Sequence, residues 1–122
     1  MNSMNTTEPV TAYQIWLANV PSVGDDSCVI RGLRPVVIVS NEKANRYSSV
    51  VSAVPLTTNM RSAYIPTHVV LNGFGLRCES VAKCDSIMPL DKSNLVYRIG
   101  EVTDENSKRE IRQGLLIQLG FI

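Results

Sequence analysis

The stretch GLRPVVIVS, residues 32–40, decides the fold class because a cation and a proline stand directly before a run of apolar and β-branched residues. The run over residues 36–40 is almost continuously apolar, as in a strand that is covered on both faces. Pro35 biases the preceding Arg34 towards an extended conformation. The stretch therefore predicts a buried strand with a guanidinium at its mouth.

Several other short apolar runs are separated by turn-forming residues. With the first stretch they predict strands at 13–19, 36–40, 49–57, 67–71, 80–83 and 95–102, and one helical turn in NEKANR at 41–46. Pro55 is expected to place the end of its strand at a sheet edge or a bulge. Short strands with turns about every 8 to 12 residues are typical of a small barrel or sandwich, so the fold class is mainly β.

The C-terminal part changes to a helical period. Thr103 can cap a helix over residues 104–118, whose first turn is acidic as the helix dipole favours. Ile111 and Leu115 lie four residues apart and share one face, and Gly120 supplies a stop. The pattern predicts one amphipathic helix packed on the sheet.

The length of 122 residues fits a single domain over residues 13–122, with a loose polar tail over residues 1–12. The composition, 44% hydrophobic and 19% charged, is that of a folded globular protein. No apolar run approaches the roughly 20 residues that span a bilayer, and the first residues do not resemble a secretory signal. We expect a cytoplasmic protein.

The cysteines are Cys28, Cys78 and Cys84, without CxxC spacing and with a single histidine in the chain. This set does not complete a zinc site convincingly, so reduced thiols are expected. Because free cysteine is commonly buried, Cys78 and Cys84 are interpreted as small hydrophobic residues in or near the core. If they share a strand, their even separation points both to one face.

The charge distribution is uneven although the net charge is only +1. Residues 31–77 contain six Lys or Arg residues and one acidic residue, Glu42. Such a basic region is expected of a surface that meets phosphates or an acidic partner. Solubilising charges on loops would give the same pattern.

Familiar catalytic templates are absent from the sequence. There is no GxSxG, Walker loop, HExxH or GxGxxG motif. His68 is the only histidine, so one chain cannot supply a two-histidine ribonuclease site. Two-metal nuclease sites need clustered carboxylates, which the basic region lacks. Metal catalysis is therefore disfavoured.

What remains is a cation and hydroxyls at the junctions of strands and loops. Arg34 precedes one strand, and Thr57, Asn59 and Arg61 end or follow another. A guanidinium can hold a phosphate through two parallel hydrogen bonds, and a hydroxyl can donate a third. This set suits phosphodiester chemistry. The alternative is an arginine stem that covers the barrel end, beside a threonine chosen for β propensity.

Five sequence blocks then follow one another in the order of a known family. They are GLRPVVIVSN, NRYSSVVSAVPLTTN, IPTHVVL, ESVAKCDSIMPLDKSNL, and IGEVTDE with a terminal LGF. In these blocks residues 13–121 resemble the PemK/MazF toxins, the mRNA interferases of type II toxin-antitoxin modules.

The resemblance implies an SH3-like β-barrel with a C-terminal α-helix, assembled as a homodimer. It further implies cleavage of single-stranded RNA without a metal or other cofactor. The ribose 2′-OH attacks the adjacent phosphate and leaves a 2′,3′-cyclic phosphate and a 5′-OH end. Arg34 in the RPV block and Thr57 in the PLT block match the family's catalytic residues. The alternative from another class is a non-enzymatic toxin that binds gyrase, like CcdB.

The loop over residues 24–32 should overlie the substrate, although DSCVIR replaces the glycine-rich stretch of many relatives. Ser86 stands where many relatives have a glutamine, which predicts altered base selection. His68 matches a family histidine but lies in a strand pattern, so a structural and a substrate-binding role are both open. The expected substrate contacts are Ser27, Cys28, Arg31, Asn59, Arg61, His68, Asp85 and Ser86.

The resemblance also implies a protein partner. Toxins of this family pair with an antitoxin, whose acidic, partly disordered tail would lie across the basic groove and fold as it binds.

Overall fold

The computed structural model describes residues 8–21 and 32–122. Within them the elements are β1 (Gln14–Val20), β2 (Gly32–Ile38), α1 (Glu42–Tyr47), β3 (Val50–Thr57), β4 (His68–Leu71), β5 (Ser80–Lys83), β6 (Met88–Asp91), β7 (Leu95–Glu101) and α2 (Glu105–Gln118). Every pairing between these strands is antiparallel. The predicted mainly β fold with a C-terminal helix is confirmed. No helix in the described part is both long and apolar enough to cross a membrane.

Strand β3 lies at the centre of the sheet. The strand order is β4-β5-β3-β2-β1-β7, and β6 pairs with β3 beside this path. One edge of β3 pairs with β2. The other edge serves two partners, because residues 50–53 pair with β6 and residues 56–57 pair with β5. A single strand therefore holds three neighbours in register.

Pro55 lies where β3 changes partner, and the expectation of an edge or bulge is wrong. It is buried and stands opposite Val36 in the ladder with β2. The carbonyl of Ser52 accepts from Val39 N on the β2 side. Because backbone groups alternate between the two edges, those of Pro55 point to the gap between β5 and β6. Proline has no N–H, so no buried donor is left unpaired there.

The strands alternate between two hydrophobic clusters, one on each face of the sheet. The first cluster lies under α2 and includes Ile15, Val37, Val54, Leu56, Leu71 and Ile111. The second includes Trp16, Val36, Ile38, Val51, Leu90 and Leu95. Since successive side chains of a strand point to opposite faces, one register fills both clusters.

The chain before β1 packs on the domain. Val10 is buried in the second cluster. The side-chain oxygen of Gln14 accepts a hydrogen bond of 2.9 Å from Trp16 Nε1, and its amide donates to the carbonyl of Pro9 at 3.3 Å. Residues 8–12 are thus held in place, whereas the sequence predicted a loose tail as far as residue 12.

Beyond small shifts at strand ends, three features of the secondary structure differ from the prediction. Strand β2 begins at Gly32 rather than at residue 36, because Gly32 to Pro35 pair with β1. Strand β6 was not predicted, since its sequence MPLD contains a proline and only two apolar side chains. Helix α2 is capped by Asp104, which accepts from Ser107 N at 2.9 Å, and not by Thr103.

Helix α2 packs closely against Cys84 at Gly114. A Cβ at this position would lie 2.9 Å from Cys84 Sγ, so the close approach requires glycine. Cys84 is buried, and its thiol donates to the carbonyl of Ile111 at 3.8 Å. Burial, with a smaller effect of the Asp85 charge, raises the pKa of Cys84 to about 11.

The cysteine prediction is partly confirmed. Cys84 and Cys78 are both free thiols, but Cys78 is exposed and not in the core. They do not share a strand, because Cys78 precedes β5 and Cys84 follows it.

The loop between β4 and β5 closes the sheet towards a barrel. Strands β4 and β7 lie at opposite ends of the strand order, and this loop runs against β7. A Cβ at Gly75 would overlap with the carbonyl of Ile99, and a Cβ at Gly100 would overlap with the carbonyl of Phe74. Two glycines on opposite sides therefore permit backbone contact where no ladder forms.

We expect Gly100→Ala to lower the free energy of unfolding by about 1–3 kcal/mol, because the new methyl group forces the loop and β7 apart. Gly120→Ala is the control, since a Cβ there meets nothing within 4 Å and only the positive φ of +78° is unfavourable. Urea unfolding of both variants at one protein concentration measures the difference. Equal losses would contradict the closure by Gly100.

Candidate functional site

Arg34 and Thr57 lie at the same end of two neighbouring strands. The paired part of β2 and β3 ends with Val36 opposite Pro55. Continued by two residues on each strand, this register places Arg34 opposite Thr57. Residues two apart on a strand share a face, so both side chains lie on the same side of the sheet. The two residues that the sequence predicted as catalytic therefore lie just beyond the last paired residues, at the same end and on the same face of β2 and β3.

The Arg34 guanidinium has no protein partner in the part of the chain that the structure describes. Arg34 is half-buried and stands opposite Ala18 of β1. Within residues 8–21 and 32–122, no ion pair or hydrogen bond engages its side chain. Because its backbone is fixed in a strand and its side chain is partly exposed, Arg34 is suited to bind an anion from solution.

The Thr57 hydroxyl keeps its proton available. Its Oγ1 accepts a hydrogen bond of 3.2 Å from Asn59 N, and Asn59 Oδ1 accepts one of 3.0 Å from Arg61 N. These two turns hold the chain compact after β3, and they leave Asn59 and Arg61 exposed. Because Oγ1 acts only as an acceptor in this contact, its O–H can donate to an incoming oxygen.

His68 is buried and links two loops through hydrogen bonds. Its side chain is only 2% exposed. Its Nδ1 lies 3.1 Å from Ser62 Oγ, and its Nε2 lies 3.0 Å from Asp85 Oδ1. The imidazole therefore connects the loop after β3 with the 3₁₀ turn Cys84–Ser86. Of the two roles left open, this geometry favours the structural one, since both ring nitrogens are engaged inside the protein.

The 3₁₀ turn Cys84–Ser86 presents the residues that were expected to select a base. Asp85 is exposed and Ser86 is half-buried. The carboxylate of Asp85 is already bonded to His68, so it is fixed in orientation. Both residues follow β5, whose start pairs with Thr57 through Val81.

Three of the expected substrate contacts lie outside the described residues: Ser27, Cys28 and Arg31. Among the other cations of the basic region, Arg46 belongs to α1, at the far end of β3 from Thr57. The basic region is therefore not a single patch. Within the described residues, no group of three His, Cys, Asp or Glu side chains could hold a metal ion.

Sequence reasoning missed Ser62 as a partner of His68. The two are six residues apart in a loop with no regular period, and only the folded chain brings the hydroxyl to the ring. No sequence pattern predicts such a contact.

Comparison with known proteins identifies related chains. Residues 11–119 match the family described as PemK-like, MazF-like toxin of type II toxin-antitoxin system. Endoribonuclease MazF of Staphylococcus saprophyticus subsp. saprophyticus is 35% identical over 92 residues, which cover 74% of this chain and 76% of that protein.

Solved structures show the same fold. An endoribonuclease in complex with its cognate antitoxin from Mycobacterial species has a TM-score of 0.73 and 31% identity, covering 93% of this chain and 97% of that one. MazF from Deinococcus radiodurans has a TM-score of 0.74 at 24% identity, covering 93% of this chain and 98% of that one. At that identity the second likeness concerns the fold alone.

We expect His68→Ala to lower the free energy of unfolding by about 2–4 kcal/mol, because it removes a buried ring and leaves Ser62 and Asp85 without their shared partner. Asp85→Asn keeps an oxygen acceptor for Nε2 and should cost less than about 1 kcal/mol. Urea unfolding at a fixed protein concentration compares them. A His68→Ala protein as stable as the parent would show that the hydrogen bonds of His68 with Ser62 and Asp85 do not stabilise the fold.

Proposed function

Because this chain belongs to the PemK-like, MazF-like toxins of type II toxin-antitoxin systems, we propose that Arg34 and Thr57 carry its endoribonuclease activity. The supporting observation is that β2 and β3 place two groups on one face: a guanidinium without a protein partner among residues 8–21 and 32–122, and a hydroxyl whose proton is available to donate. The substrate is single-stranded RNA, and the product ends are a 2′,3′-cyclic phosphate and a 5′-OH.

The reaction uses the substrate's own nucleophile. The 2′-OH gives up its proton and attacks the adjacent phosphorus, and the P–O5′ bond breaks as the 5′ oxygen takes up a proton. Arg34 donates parallel hydrogen bonds to the non-bridging oxygens, on which negative charge grows, and Thr57 donates another. DNA lacks the 2′-OH, so it is not cut. No step of this chemistry requires a metal.

Electrostatic stabilisation is the role assigned to Arg34. Guanidinium groups remain protonated in proteins, so they are poor general acids or bases. A fixed cation at the place where charge develops lowers the barrier without reorganisation. The position of Arg34 on β2, rather than on a flexible loop, supplies that fixity.

The proposed assembly is a cytoplasmic homodimer that an antitoxin inhibits. A similar endoribonuclease is solved with its cognate antitoxin. In this chain Arg34 and Arg61 lie at one end of the sheet, and neither side chain forms an ion pair with another described residue, so an acidic antitoxin tail could pair with both. The tail would order as it binds, as acidic disordered segments do.

We expect Arg34→Ala to reduce RNA cleavage by about 100-fold or more, because one oxyanion-stabilising donor typically contributes that much. Thr57→Val removes only the hydroxyl and should reduce the rate less, while Thr57→Ser should restore it. Arg109→Ala, on the exposed face of α2, is the charge-matched control. Fragment release from a long RNA at matched folded protein is the measurement. Substantial cleavage by Arg34→Ala would refute the assignment.

The same digestion separates this function from the gyrase-binding alternative. Incubation in EDTA should yield fragments with 5′-OH ends. A toxin that acts only by binding gyrase would leave the RNA intact.

We expect a roughly fourfold rise in salt to weaken antitoxin binding, because exposed charge pairs are screened as the Debye length shortens. Arg61→Gln should show a smaller salt dependence, since one cation is gone. Titration calorimetry at both salt concentrations measures the change. An affinity that does not move with salt would show that acidic groups of the antitoxin do not drive binding.

A further inference from the structure

A cavity of about 470 Å³ opens at the same end of the sheet as Arg34 and Thr57, but on the other face. Its walls are mainly apolar, formed by Leu17, Pro35, Leu76 and Ile99. Cavities of this size typically bind small molecules or single groups of larger ligands. The chemistry assigned to Arg34 and Thr57 makes no use of it.

The cavity adjoins the catalytic pair through the chain itself. Pro35 and Thr58 line it, and they directly follow Arg34 and Thr57. Because successive side chains of β2 point to opposite faces, Pro35 faces the cavity while Arg34 faces away. A ligand that reaches around the ends of β2 and β3 would touch both surfaces.

The cavity wall is formed by closely packed parts of the fold. It includes Gly75 and Ile99, where the loop after β4 meets the backbone of β7 without room for a side chain. Leu76 and Ile99 also pack against the first hydrophobic cluster. The space is therefore built by the fold and does not have to be opened by a ligand.

The rim carries groups that recognise a planar polar ligand. Tyr97 stands opposite Leu17 in the ladder, faces the cavity, and is 56% exposed. Arg98 also lines the cavity, but its guanidinium is paired with Glu8 and Glu101. Arg77 is exposed and has no ion pair in the described part of the chain.

We propose that this cavity binds one unpaired base of the RNA, next to the phosphate that is cut, and thereby sets the sequence preference. The proposal rests on the function proposed for Arg34 and Thr57. The Tyr97 ring stacks on the base, Arg77 and Thr58 donate hydrogen bonds to its edge, and the apolar wall excludes water. Unstacked bases in single-stranded RNA are typically recognised by aromatic rings and guanidinium groups in this way.

A base fits the rim better than an aliphatic side chain of a protein partner does. Tyr97, Arg77 and Thr58, which carry an aromatic ring, a guanidinium and a hydroxyl, are among the residues that line the cavity. An aliphatic side chain would use the apolar wall and leave these three groups without partners. Arg77 also attracts the phosphates on either side of a bound base.

The test is to sequence fragment ends after digestion of an RNA pool with random sequence. Tyr97→Ala and Arg77→Gln should each reduce the base preference at one position beside the cut by roughly tenfold. Tyr97→Phe keeps the stacking surface and should retain the parent preference. Tyr47→Ala is the control, because Tyr47 is 77% exposed on α1 at the opposite end of β3.

Two outcomes would overturn the base cavity. One is an unchanged preference in Tyr97→Ala and Arg77→Gln. The other is unchanged cleavage with weaker antitoxin binding, which would assign the cavity to the protein partner. Either result leaves the proposed function standing if the parent cuts RNA and Arg34→Ala does not. Conversely, if Arg34→Ala still cleaves RNA while Tyr97→Ala has an altered base preference, only the assignment of Arg34 and Thr57 as catalytic residues is refuted. Thermal unfolding of each variant verifies that it is folded.

Discussion

The fold depends on the ability of β3 to pair with three strands at once. Its two ends bind different neighbours along one edge, and the change of partner falls at Pro55, which has no N–H to leave unpaired. An ordinary residue there would bring a buried donor into a gap between strands. This residue is therefore compatible with a central strand because of where the ladder is interrupted, and it lets β5 and β6 share one neighbour.

Strands β2 and β3 also position both of the proposed functional surfaces. On β2, Arg34 lies on the same side as Thr57, whereas the next residue, Pro35, lines the cavity on the other face. Phosphate chemistry and base recognition can thus be adjacent without sharing side chains. Under the proposed assignments, a substitution at the rim of the cavity would change which RNA is preferred while Arg34 and Thr57 keep their positions.

Much of this could be predicted from the sequence, because the relevant signals are local. The apolar run behind Arg34, the threonine at the end of β3 and the helical period after residue 104 each reflect nearby residues. What escaped prediction depends on long-range contacts. Strand β6 is stabilised by pairing with the edge of β3. His68 forms its hydrogen bonds with Ser62 and Asp85 only once the three segments that carry these residues have packed together. The cavity beneath Tyr97 forms where a loop meets β7, which no periodicity indicates.

The packing of α2 against Cys84 affects the reactivity of this thiol. With its pKa raised to about 11 by burial, Cys84 is almost entirely protonated at neutral pH. The thiolate is the form that reacts with oxidants and disulfides, so the sulfur against Gly114 is nearly inert while the helix stays in place. Of the two cysteines among the described residues, the exposed Cys78 would therefore be oxidised before Cys84, and the packing of α2 against Cys84 would be preserved.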